Sequence, residues 1–274
     1  MKYFIKVEKN VRLFVEDINK DSEKAILFVH GWPLNHRMYE YIIENFAQKG
    51  YRCIAIDLRG YGKSDKPSSG YDYDRMAKDI RHIIEALKLE NITLMGHSMG
   101  GAICSRYMAK FNGYGISKLC LLSAAVPKWV KSISWPYGYT VDQVNSIIDN
   151  FKNDRPQAIR TTSESFFYKF TSQGILDWFF DMCLEAAGWS SVNSLYALRD
   201  EELFNDLSKI KVPTLILHGI HDTVCPYSFA EYMRDTIENA TLVSLTDGGH
   251  GAFYECRDDI NKSLEAFINI DHIK

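Results

Sequence analysis

Three side chains stand where glycine-rich turns follow apolar runs. They are Ser98 in Gly96-His97-Ser98-Met99-Gly100, Asp222 in His218-Gly219-Ile220-His221-Asp222, and His250 behind Gly248-Gly249. A serine hydroxyl is a poor nucleophile near neutral pH. It needs a base to take its proton and an acid to hold that base in the right tautomer. His250 is the candidate base and Asp222 the candidate orienter. Charge developing on an attacked carbonyl needs preorganised donors, typically backbone N–H groups. Met99, which follows the serine at a helix start, and Trp32, in His30-Gly31-Trp32-Pro33, are the candidates. Such a set performs acyl transfer through a covalent serine intermediate.

Gly-x-Ser-x-Gly alone is weak evidence, so the elements around it decide. Residues 92–95 form an apolar run before the glycine cluster, and a helix is expected over 99–110. A strand–turn–helix is the context a raised nucleophile requires. Further apolar runs at 25–30, 52–57, 118–123 and 214–218 read as strands buried on both faces, as parallel strands are. A hairpin is expected from 3–7 and 12–17, and a last strand at 241–245. Helices are expected at 38–48, 72–89, 228–237 and 259–268. The alternation pauses over 128–209, which is rich in aromatic and helical segments and lacks a strand run. The chain therefore divides into an α/β core, 1–127 and 210–274, and a helical lid insertion, 128–209. In open α/β sheets ligands meet the carboxyl ends of strands. Ser98, Asp222 and His250 each follow a different strand, so all three can face one crevice.

Neighbouring polar residues compete for these roles. Asp247 and Asp200 are rivals to Asp222, which is favoured by its place after the penultimate strand. His221 diverges from its neighbour Asp222, and His97 inside the turn reads as a packing and hydrogen-bonding residue. His30 reads as support for the loop that follows it. His218, His221 and Asp222 cluster, but alternate directions along a strand end disfavour a metal site. The aromatics of 128–209 read mostly as lid core. Trp32, Phe166 and Trp189 are the candidates to line a substrate pocket.

The 274 residues carry 46% apolar and 24% charged side chains, with a net charge of −3. This is a globular composition without a basic stripe for nucleic acid. Charges interrupt the N-terminal stretch, and no run reaches the ~20 residues of a membrane helix. Six scattered cysteines without a CxxC pair read as reduced thiols in a cytoplasmic protein. No cofactor or metal is expected. The expected partner is a small-molecule ester, with no nucleic acid and no membrane; a homo-oligomer is left open.

The strand-end motifs HGWP (30–33), DLRGYGKSD (57–65), GHSMGG (96–101), HGIHDTVCP (218–226) and GGHGAFYE (248–255) resemble the α/β-hydrolase family. More narrowly they resemble its bacterial arylesterase branch, whose members are also labelled cofactor-free haloperoxidases or perhydrolases. The resemblance implies an α/β-hydrolase fold with a mostly parallel central sheet, flanking helices and an inserted helical lid. It implies a triad at Ser98, Asp222 and His250 and oxyanion donors at Trp32 and Met99. The sequence departs from the branch at Asn35-His36-Arg37, and Ala186-Ala187-Gly188-Trp189 has no clear counterpart. Aspartate-nucleophile relatives, dehalogenases and epoxide hydrolases, are disfavoured by the serine at 98.

Three functions follow. The first is a serine carboxylesterase for small or medium apolar or aryl esters. The second is a perhydrolase or haloperoxidase, in which Pro33 lets peroxide replace water, with a carbon–carbon bond hydrolase as a further option. The third is a ligand-binding member of the fold without catalysis.

Overall fold

The computed structural model describes residues 1–169 and 171–270. Residue 170 of the expected lid and residues 271–274 of the expected core lie outside the described residues. Strands β1 (Lys2–Glu8), β2 (Val11–Ile18), β3 (Ala25–Val29), β4 (Arg52–Ile56), β5 (Ile92–His97), β6 (Ile116–Leu122), β7 (Thr214–Gly219) and β8 (Ala240–Leu245) form one eight-stranded sheet in the order β1-β2-β4-β3-β5-β6-β7-β8. β2 pairs antiparallel with both β1 and β4, and every later pairing is parallel. β3, β5 and β7 are buried along their whole length, whereas β1 buries only Ile5 and Val7. This difference follows from position: β1 is an edge strand with one wet face, and the central strands are covered by helices on both faces.

Helices α1 (Glu40–Gln48), α2 (Tyr73–Ala86), α3 (Met99–Lys110) and α9 (Ser228–Thr236) lie in the connections of the sheet, and the one-turn α10 (Ala252–Glu255) and α11 (Arg257–Asn269) follow β8. Between β6 and β7 lie α4 (Val141–Asn153), α5 (Arg155–Phe166), α6 (Gln173–Leu184), α7 (Gly188–Asp200) and the short α8 (Phe204–Leu207). Their starts are written locally. Thr140 and Gln143 close a capping box on α4, and Asp154 caps α5 by accepting from Gln157 N–H. Asp72 accepts from Arg75 N–H at the start of α2.

The helix expected over 38–48 is α1, Glu40–Gln48, and its first two expected residues belong to a preceding 3-10 turn, His36–Tyr39. Asn35 sets the turn: its side chain accepts from Arg37 N–H, and its amide donates to Glu185 Oε2 at 3.0 Å. His36 follows with Nδ1 2.7 Å from the buried Asp57 carboxylate. Burial opposes the Asp57 charge, but its bonds to His36 outweigh that and hold its pKa below the ordinary value. The departure at 35–37 is therefore a docking device between loop, sheet and α6. The stretch 186–189 has a similar use. Ala187 N–H and Ser190 Oγ–H both donate to Gly60 O, seating α7 on the turn after β4.

Candidate active site

β5 runs into α3 through Ser98, which has φ 52° and ψ −121°. This backbone conformation costs a non-glycine residue about 1–3 kcal/mol, and it persists only where the surroundings impose it. Here they do. Ser98 N–H donates to Leu122 O, and Ser98 O accepts from Ala102 and Ala125 N–H. The flanking glycines are required by space. A Cβ on Gly96 would meet Gly100 O at 2.6 Å, and one on Gly100 would meet Val29 O at 2.4 Å. The helix thus starts directly against β3 and β5, and the serine is lifted into the space above them.

His250 follows β8, with its Nε2 2.9 Å from Ser98 Oγ. Its Nδ1 lies 2.8 Å from Asp222 Oδ2. A carboxylate only accepts, so Nδ1 carries the proton and Nε2 is left as the acceptor facing the serine hydroxyl. Asp222 Oδ1 accepts from Val224 N–H at 2.9 Å and Cys225 N–H at 2.7 Å. That carboxylate is therefore fixed by its own loop before it meets the imidazole. The rivals are elsewhere: Asp247 is exposed and pairs with Lys169, and Asp200 pairs with Arg199.

Met99 N–H occupies the first turn of α3, where no intrahelical acceptor exists. Among the described residues, neither it nor Trp32 N–H has a protein hydrogen-bond partner. The loop of Trp32 is held close to the serine, since a Cβ on Gly31 would meet Ser98 Cβ at 2.9 Å. His30 supports this loop. Its Nδ1–H donates to Gly31 O at 2.9 Å, and its Nε2 accepts from Leu58 N–H at 3.0 Å. Burial lowers the His30 pKa to about 4, so the ring is neutral, as the acceptor role demands. His97 Nε2–H donates to His250 O at 3.0 Å, and burial pushes its pKa well down. His218 Nε2–H donates to Cys225 O at 2.8 Å and is likewise lowered by burial. His221 points away from this group and stacks on Tyr168 with ring centroids 3.6 Å apart.

A cavity of about 150 Å³ opens on Ser98 and His250. Trp32, Trp129, Phe151 and Phe166 supply its aromatic wall. Phe166 also packs edge-on against the His250 ring, centroids 4.8 Å apart. Trp189, expected to line the pocket, does not. It sits at the first turn of α7, 51% exposed, with its indole N–H donating to Pro67 O at 2.9 Å. The buried face of α7 is instead made by Ser190, Ser191 and Ser194, so the adjacent Trp189 must point out.

Glu255 escaped the sequence reading. One carboxylate oxygen accepts from Tyr168 N–H at 2.6 Å and Lys169 N–H at 2.7 Å, and the other accepts from Gly249 N–H at 2.8 Å. Gly251 N–H donates to Phe166 O at 2.6 Å. The segment after α5 is thereby stapled to the turn that carries His250. The available signal was an acidic residue five positions beyond His250, one turn along a helix too short to show periodicity.

With this geometry in view, the chain can be placed. The sequence profile of the alpha/beta hydrolase fold family matches residues 24–255. This protein belongs to the α/β-hydrolase family. It is 46% identical to the AB hydrolase superfamily protein YisY of Bacillus subtilis, covering 98% of this chain and 100% of that one. An esterase from Exiguobacterium antarcticum superposes with a TM-score of 0.95 at 40% identity, covering 98% and 99% of the two chains. The bifunctional esterase/perhydrolase DCH of Acinetobacter calcoaceticus is 29% identical over 97% of this chain and 99% of its own. Other relatives carry the name non-heme chloroperoxidase. Among the described residues no group of three His, Cys, Asp or Glu is placed to hold a metal, and no helix is long and apolar enough to cross a membrane.

Proposed function

We propose that this α/β hydrolase is a serine carboxylesterase for small or medium apolar and aryl esters. The observation that carries the reading is the bridge made by His250, 2.9 Å from Ser98 Oγ and 2.8 Å from Asp222 Oδ2, at the wall of an aromatic cavity. Ser98 Oγ attacks the ester carbonyl as His250 Nε2 takes its proton. Trp32 and Met99 N–H receive the oxyanion, each donor being worth about 3 kcal/mol of barrier. The proton passes from Nε2 to the leaving alkoxide. Water, deprotonated by Nε2, then attacks the acyl-enzyme; the acyl–Oγ bond breaks, Nε2 returns the proton to Ser98 Oγ, and the acid is freed. The segment 128–209 acts as the lid that shields the acyl-enzyme, with Phe166 over His250. A cavity near 150 Å³ is of the size that admits about one benzene ring, which favours short acyl or aryl groups over long lipids.

A second reading concerns the acceptor. The relative named as a bifunctional esterase/perhydrolase supports peroxide in place of water, giving a peracid, and Pro33 beside the oxyanion loop is the residue that would favour it. One experiment addresses both. Esters of p-nitrophenol with two- to eight-carbon acyl groups are hydrolysed with and without hydrogen peroxide. Turnover falling beyond short chains supports the esterase reading, and peracid formation adds the second. No turnover across the panel overturns both.

A further inference from the structure

The cavity holds a hydrogen-bonding group that the ester mechanism does not use. Tyr139 lines it together with Ser98, and among the described residues its phenolic oxygen has no hydrogen-bond partner. A phenol lining a largely apolar cavity without a protein partner is free to donate to a ligand bound there. The residue is rigidly held for that purpose. Its N–H donates to Trp129 O at 3.1 Å, and its carbonyl accepts from Lys131 N–H at 2.8 Å. Its ring packs on Trp129 with centroids 4.7 Å apart, and the Trp129 indole N–H is tied to Val224 O, two residues past Asp222. Burial pushes the phenol up to about 12, so it remains protonated and donates. Asn150 and Thr161 also line the cavity, and their side chains have no hydrogen-bond partner among the described residues.

We infer that the physiological substrate is an ester whose acyl arm carries an oxygen acceptor close to the scissile carbonyl, and that Tyr139 selects it by donating a hydrogen bond to that oxygen. The inference rests on the esterase reading and narrows it. The acyl arm is the fitting partner because it stays on Ser98 inside the cavity while the alcohol departs. A site built to hydrogen-bond an oxygen discriminates against the isostere that lacks it.

The test compares p-nitrophenyl methoxyacetate with p-nitrophenyl butyrate, which differ by one oxygen for one methylene. The ratio of their kcat/KM values is measured in the wild type and in Tyr139→Phe. Intrinsic reactivity cancels between the two enzymes, and loss of bulk packing would affect both esters alike. Loss of one neutral hydrogen bond lowers the ratio about three- to tenfold in the variant. An unchanged ratio, with both esters turned over, overturns this inference alone. Absence of turnover of either ester by the wild type overturns the esterase reading and this inference with it.

Discussion

Asp222→Asn separates orientation from packing at the centre of the site. The two loop donors, Val224 and Cys225 N–H, lie 2.9 and 2.7 Å from Oδ1, and an asparagine oxygen satisfies both. That choice turns the amide NH2 toward His250 Nδ1, which now sits 2.8 Å from Oδ2. Two donors cannot share that contact, so Nδ1 gives up its proton and accepts. The proton moves to Nε2, where it faces Ser98 Oγ at 2.9 Å and blocks the base. Wrong-tautomer variants of this kind lose about 10⁴ in kcat, or about 5.5 kcal/mol of barrier. The loop bonds survive, so the thermal midpoint should move little. Hydrolysis of p-nitrophenyl acetate at neutral pH reads the first effect and a melting curve the second. Asp222→Asn that keeps more than a tenth of wild-type kcat while folded would refute the assignment of Asp222 as orienter.

Two further outcomes follow from packing and burial. Gly100→Ala places a Cβ 2.4 Å from Val29 O and 2.5 Å from His30 O, both rigid backbone; it should cost about 1–3 kcal/mol or more and lower both Tm and kcat, and a variant with unchanged Tm would contradict the close approach. His30 has its pKa lowered to about 4, so between there and the ordinary value near 6.5 the unfolded chain binds more protons than the folded one. Its contribution, about 3 kcal/mol, is present above pH 6.5 and is lost as pH falls toward 4; Tm measured over that window should fall more steeply in the wild type than in His30→Gln, and equal slopes would contradict it.

The grouping of Ser98, Asp222 and His250 was legible because each follows a strand; those before Ser98 and Asp222 are buried on both faces and read as continuous apolar runs. The elbow was legible because two glycines flank the serine, and both are now explained by backbone oxygens within 2.6 Å of where a Cβ would stand. The sheet order was not legible. That β4 lies between β2 and β3 depends on crossovers that no local pattern encodes. Within 128–209 the individual helices and their facing side chains were also hidden. Trp189 and Phe166 look alike as lid aromatics, but one lies on the outer face of α7 and the other at the C-terminal end of α5 against His250. Glu255 and Tyr139 gain meaning only from backbone donors and cavity walls far away in the chain.

The central claim is that Ser98 is the nucleophile. The wild-type protein and Ser98→Ala are incubated with a fluorophosphonate and analysed by intact mass and by fragmentation. The account predicts one adduct on Ser98 with parallel loss of p-nitrophenyl acetate turnover, and neither labelling nor turnover in the variant. A folded Ser98→Ala protein that still hydrolyses the ester at the wild-type rate would contradict it.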